Sequence, residues 1–210
     1  MENVLPQIGI AVDRNDNVAE LVYPLVQFVE QKKPDYIFAC DRGARFIGLA
    51  VHMLYGRLYG AFPTQDHAIH FRKISGYVPA DAVRKALQPD VERMLVAREY
   101  PTILVLDDFI ATGGTKSLVY KLFTELSGGK AKILYGVMRG NQGDGADVTG
   151  SKDSISSSSG DWLDMTNLIG VDYDYVDGML RPRRIPSAAA IDYRRRISAS
   201  IQRFVKGLSA

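Results

Sequence analysis

The chain has 210 residues, 46% hydrophobic and 24% charged, with a net charge of +2, a composition that excludes disordered and fibrous classes and suits one globular domain. No apolar run approaches the roughly 20 residues that span a bilayer, and Met1-Glu2-Asn3 opens without the basic and apolar stretches of a signal peptide. The single cysteine, Cys40, excludes an intrachain disulfide and a multi-cysteine zinc site, so a cytoplasmic protein with no membrane partner is expected.

From the N-terminus, Leu21, Val22, Leu25, Val26 and Val29 recur at helical spacing and predict a helix over 19–31. Lys32-Lys33-Pro34 closes it, because proline does not continue a helix and restricts the residue before it. The apolar run Tyr36 to Cys40 reads as a short buried strand that enters the turn Asp41-Arg42-Gly43. Phe46, Ile47, Leu49, Ala50, Met53 and Leu54 then return to helical spacing. Residues 57–62 are expected as the next strand, and the polar, aperiodic stretch 63–79 as a long loop with room for a hairpin. A helix follows over 80–100, with a break expected near Pro89. Thr102 to Leu106 is a β-type run that ends in two acids and a glycine-rich loop, 117–126 is helical, and 133–138 is another buried strand. Strands alternating with helices predict an α/β fold, a mainly parallel sheet flanked by helices.

Between 140 and 160 Gly, Ser, Asp and Asn dominate, which predicts a mobile loop between a core at about 35–140 and a hood with a C-terminal helix at 161–210. That last helix starts at Pro186-Ser187, with Ser187 as N-cap, and carries the stripe Ala190, Tyr193, Ile197, Ile201, Phe204 and Leu208. From Arg181 onward eight Lys/Arg face one acid, Asp192, so this stretch carries +7 and residues 1–180 carry −5. A basic tail behind an acidic body suits an anionic partner, but a solvated outer helix face is favoured over nucleic acid.

One segment concentrates chemistry: Ile103-Leu104-Val105-Leu106-Asp107-Asp108-Phe109-Ile110-Ala111-Thr112-Gly113-Gly114-Thr115. A buried strand delivers two carboxylates to its C-terminal end, where ligands bind in open α/β sheets. Thr112-Gly113-Gly114-Thr115 then opens a helix whose free N–H groups and dipole attract a phosphate. Carboxylates beside a phosphate cradle repel its ligand unless that ligand also offers hydroxyls, as a sugar phosphate does. A divalent cation would reduce the remaining repulsion.

The segment resembles, at all thirteen positions, the 5-phosphoribosyl-1-pyrophosphate (PRPP) signature of type I phosphoribosyltransferases. The resemblance implies that Asp107 and Asp108 hold the ribose hydroxyls, and Mg²⁺ through water, while Ala111, Thr112, Gly113, Gly114 and Thr115 hold the 5′-phosphate. About 65 residues earlier, Arg42-Gly43 stands where the family places its pyrophosphate loop, so Arg42 and Gly43 would face the diphosphate. Arg72 and Lys73 lie where the family has a flexible loop that brings cations to the reaction centre. Ala111 replaces the aspartate of the 6-oxopurine branch, which disfavours hypoxanthine and guanine as acceptors. Trp162, Tyr173 and Tyr175 offer aromatic faces for an acceptor base. The function so implied is phosphoribosyl transfer from PRPP to a nitrogenous acceptor, with Mg²⁺ and in a homodimer. The alternative is a non-catalytic PRPP or nucleotide sensor that uses its basic tail for a partner. Cys40 has no His–acid pair near it in sequence to make it a nucleophile, and His52, His67 and His70 lack a metal-ligand spacing.

Overall fold

A computed structural model describes residues 18–41, 43–110, 112–139, 145–150, 171–176, 179–185 and 187–208. Its centre is a five-stranded, all-parallel sheet in the order β2-β1-β3-β4-β5, formed by β1 (Tyr36–Cys40), β2 (Ile69–Arg72), β3 (Thr102–Phe109), β4 (Lys132–Arg139) and β5 (Val148–Thr149). All five residues of β1 and Ile103 to Leu106 of β3 are buried. Such unbroken apolar runs are what a parallel sheet covered on both faces demands.

The helices α1 (Val18–Lys32), α2 (Arg45–Tyr59) and α5 (Ala188–Leu208) pack on one another, and α3 (Ala80–Ala97) packs on α4 (Gly114–Leu126). The crossover β1–α2–β2 runs one way along the sheet and β3–α4–β4 the other. Right-handed connections therefore set α2 and α4 on opposite faces. The fold is thus the expected α/β class with a helical layer on each side. Among the described residues no helix is long and apolar enough to cross a membrane.

Several elements differ from the sequence reading. Residues 57–59 continue α2, whose buried Leu54 and Tyr55 extend its apolar face, and Gly60, at φ +87°, ends it. The edge strand instead lies at Ile69–Arg72, inside the stretch expected as a loop. Its four residues are all half-buried, so no alternation marks it. Helix α3 passes through Pro89 unbroken. Within the stretch expected to be mobile, Val148–Thr149 pairs with Gly136–Val137 and Gly150 is buried, so this part belongs to the sheet edge. The remainder of 140–160 lies outside the described residues.

The strands β6 (Val171–Val176) and β7 (Met179–Arg184) form an antiparallel hairpin, the small hood, with β7 against α3. The Ala190 N–H donates to Ser187 Oγ at 3.0 Å, the expected N-cap. Ala190, Tyr193, Ile197 and Ile201 of α5 are buried, but Leu208 is exposed, so the apolar stripe stops short of its last expected member. At the N-terminal edge of the sheet Asp35 acts as a staple. It pairs with Arg98, accepts the Thr102 N–H at 2.7 Å, and its own N–H donates to the Thr102 carbonyl at 2.8 Å.

Candidate functional site

The strand order creates the site. From β1 the chain turns toward β2, and from β3 toward β4, so the loops after β1 and β3 diverge and leave a crevice between their C-terminal ends. The acid pair ends β3 on one side of that crevice, and Asp41, Gly43 and Ala44 leave β1 on the other.

The two acids occupy different environments. Asp107 is buried; its Oδ2 accepts the Tyr135 hydroxyl from β4 at 2.5 Å, and its Oδ1 accepts the Asp108 N–H at 2.9 Å. Burial, reinforced by the charge of Asp108, pushes the Asp107 carboxyl well above the usual carboxylate range. Asp108 is half-buried, with Oδ1 accepting the Phe109 N–H at 3.0 Å. Its other oxygen lies across the crevice against Gly43, where an added Cβ would stand 2.1 Å from Oδ2. Any larger residue there would push the Asp108 carboxylate aside.

Below the crevice Cys40 is buried, and burial together with Asp107 and Asp108 raises its thiol well above the ordinary value. A thiol held in that form is a poor nucleophile, in line with its sequence surroundings.

The glycine turn leads straight into a helix. Gly113 takes the left-handed conformation, φ +76°, as the residue before α4, and that helix has no acid in its first turn. The positive end of its dipole therefore meets no acid from the helix's own first turn. Thr112 is exposed, and Thr115 Oγ1 accepts the Gly76 N–H at 3.3 Å, which brings the segment after β2 to the mouth of the turn.

The other expected residues divide. Arg72 sits at the end of β2 and not in a flexible loop. Its Nε and Nη2 hold both oxygens of the buried Asp90 at 2.7 and 2.9 Å, and Nη1 donates to the Phe71 carbonyl. Its guanidinium thus ties β2 to α3. Lys73 follows it in the segment that reaches Thr115. Tyr173 is half-buried and donates its hydroxyl to Asp41 at 2.5 Å, which docks the hood on the loop after β1. Burial, then the charge of Asp41, raises its phenol. Arg42, Ala111 and Trp162 lie outside the described residues, as does the side chain of Tyr175.

Sequence reasoning missed Tyr135, Asp41 and Arg45. The carboxylate of Asp41 is buried and holds Arg45 Nε at 2.9 Å, and that guanidinium lies 4.5 Å over the Phe71 ring. The one signal for Tyr135 was a hydroxyl in the middle of an apolar strand, which must find a partner when buried. Among the described residues no cluster of three or more His, Cys, Asp or Glu side chains is arranged to hold a metal.

These features define an α/β protein with a switch-point crevice that carries an acid pair on one lip and a glycine turn into a helix N-terminus beside it. Comparison with protein-family models, with curated proteins and with solved structures finds no match in any of the three.

Proposed function

We propose that the crevice binds PRPP and transfers its phosphoribosyl group to a nitrogenous acceptor, a nucleobase in the first instance, releasing pyrophosphate. One observation carries the reading: Asp108 meets Gly43 across the switch point, joining two motifs that stand 65 residues apart. A ribose carrying a 5′-phosphate and a 1-diphosphate needs a carboxylate for its hydroxyls, N–H donors at one end and further donors at the other. Asp108, the turn Thr112 to Thr115 and the loop at Gly43 supply these in that order.

In this reading Asp108 accepts from the ribose hydroxyls and, as the C1′–O bond breaks, its charge favours the cationic ribose. The acceptor nitrogen bonds to C1′ while the bonding pair leaves with the diphosphate. The turn at Gly113 fixes the 5′-phosphate, so the sugar is oriented before reaction. Arg42, next to Gly43, and Lys73 would face the departing diphosphate. A half-buried carboxylate beside the proposed phosphate sites, with no cage of ligands among the described residues, fits Mg²⁺ held mainly by substrate oxygens and water. Bound there, it would neutralise charge on the diphosphate. Tyr173, with its hydroxyl on Asp41, serves better to anchor the hood than to stack on a base.

The test is incubation with Mg²⁺ and PRPP and a panel of purines, pyrimidines and related amines, following pyrophosphate release. Turnover with one acceptor is expected. Tight binding without turnover for any acceptor would convert the reading to that of a sensor, and absence of binding would refute both.

A further inference from the structure

We infer that Tyr135 is a positioning residue, which with Asp107 forms a buried pair that aims Asp108, so that Asp108 alone of the two acids meets the ligand. The inference rests on the reading of the crevice as a sugar-phosphate site and divides the labour within it.

The argument starts from the ladder. β1 ends at Cys40, and its last pairing with β3 joins Ala39 to Leu106. Beyond that point the β1 side of β3 has no strand partner. The Asp108 N–H would be left without an acceptor, and a buried or half-buried N–H needs one. The Asp107 carboxyl supplies it at 2.9 Å, in its own strand. That contact requires the carboxyl to fold back along the chain, and one oxygen alone does not hold it so. The Tyr135 hydroxyl, 2.5 Å from the other oxygen and on a fully buried ring, locks it there.

Both Asp107 oxygens thus have partners inside the protein, the carboxyl also lies in hydrogen-bond reach of that of Asp108, and the residue is 6% exposed. The direction in which Asp108 leaves the strand, toward Gly43, follows from a backbone fixed on two sides. Among the described residues, the titratable groups facing Asp107 are Cys40 from β1, Asp108 from β3 and Tyr135 from β4, and none of them is cationic. The inner carboxyl is therefore suited to share hydrogen bonds and ill suited to carry a charge toward a cation or a ribose.

The experiment is a mutant cycle read by Mg²⁺–PRPP affinity, with thermal melts of the ligand-free protein. In Asp107→Asn the amide can still accept the Asp108 N–H and can donate to Tyr135, so a loss of no more than about threefold is expected, against about thirtyfold or more for Asp108→Asn. Tyr135→Phe should lower affinity about five- to tenfold, and that loss should vanish in the Asp108→Asn background. Simple destabilisation would give additive losses, which would overturn the inference, as would an Asp107→Asn loss equal to that of Asp108→Asn in a folded protein. If the wild type binds no PRPP, the function falls while the melts still decide the pairing: losses of Asp107→Ala and Tyr135→Phe that simply add in the double variant would overturn it.

Discussion

An alanine at position 43 would put a methyl carbon 2.1 Å from Asp108 Oδ2 and 2.6 Å from its Cγ. Even close carbon–oxygen contacts stay at roughly 3.3 Å or beyond, so the carboxylate must swing away by about 1 Å or more. Because it is the end of a flexible side chain, the fold survives. The swing gives up the Phe109 N–H bond, seen at 3.0 Å, for about 1 kcal/mol. A strained rotamer adds about 0.5–1.5 kcal/mol. At about 2–4 °C per kcal/mol for a chain of this size, Tm should fall by about 3–10 °C. A displaced carboxylate also loses a charged hydrogen bond to the ribose, about 1.5–3 kcal/mol, which is roughly 10- to 100-fold in affinity. Calorimetric titration of Gly43→Ala with Mg²⁺ and PRPP, beside a thermal melt, measures both. A folded variant with wild-type affinity would refute the meeting of the two loops as a binding feature.

Further outcomes follow from the same contacts. Asp107 is held above its ordinary value of about 3.9, so the stability of its protonated form is complete below that pH and lost as pH rises through the raised value. As pH rises above about 4, Asp107→Asn should therefore show a smaller fall in urea midpoint than the wild type, and equal slopes would contradict its burial as a neutral group. Tyr173→Phe removes the hydroxyl from Asp41 and should cost about 1 kcal/mol while speeding proteolysis within the hairpin; an unchanged cleavage rate would show that the contact does not hold the hood. Ile197→Ala empties a site that is 0% exposed beneath α5 and should cost about 2–5 kcal/mol in a urea melt, whereas a loss under about 0.5 kcal/mol would mean that α5 does not close the core.

The central strands and the turn at Gly113 were readable because each is set by local chemistry: unbroken apolar runs for β1 and β3, and paired glycines before a helix. Strand β2 was not, since four half-buried residues at a sheet edge leave no periodic trace and its pairing with β1 is a tertiary fact. The strand placed at 57–62 failed for a related reason. Three further residues complete the last turn of α2, and Gly60, not the change of composition, marks its end. At the site, the acids were visible but their inequality was not. It depends on Tyr135, 28 residues away in sequence, and on the strand order that sets β4 beside β3. Arg72 shows the converse. Its charge stood out in sequence, yet Asp90, presented by α3, claims the guanidinium.

The Asp35 staple gives the sheet two ends with separate duties. It binds the starts of β1 and β3 by side chain and backbone together, at the edge opposite the crevice. Register is thus secured before the chain reaches any of the loops that line the site. Those loops can then be exchanged, shortened or lengthened with little penalty to the core, which makes the chain a natural scaffold for loop grafting. The same separation would let a lineage change what enters the crevice many times over while the sheet beneath it stays as it is.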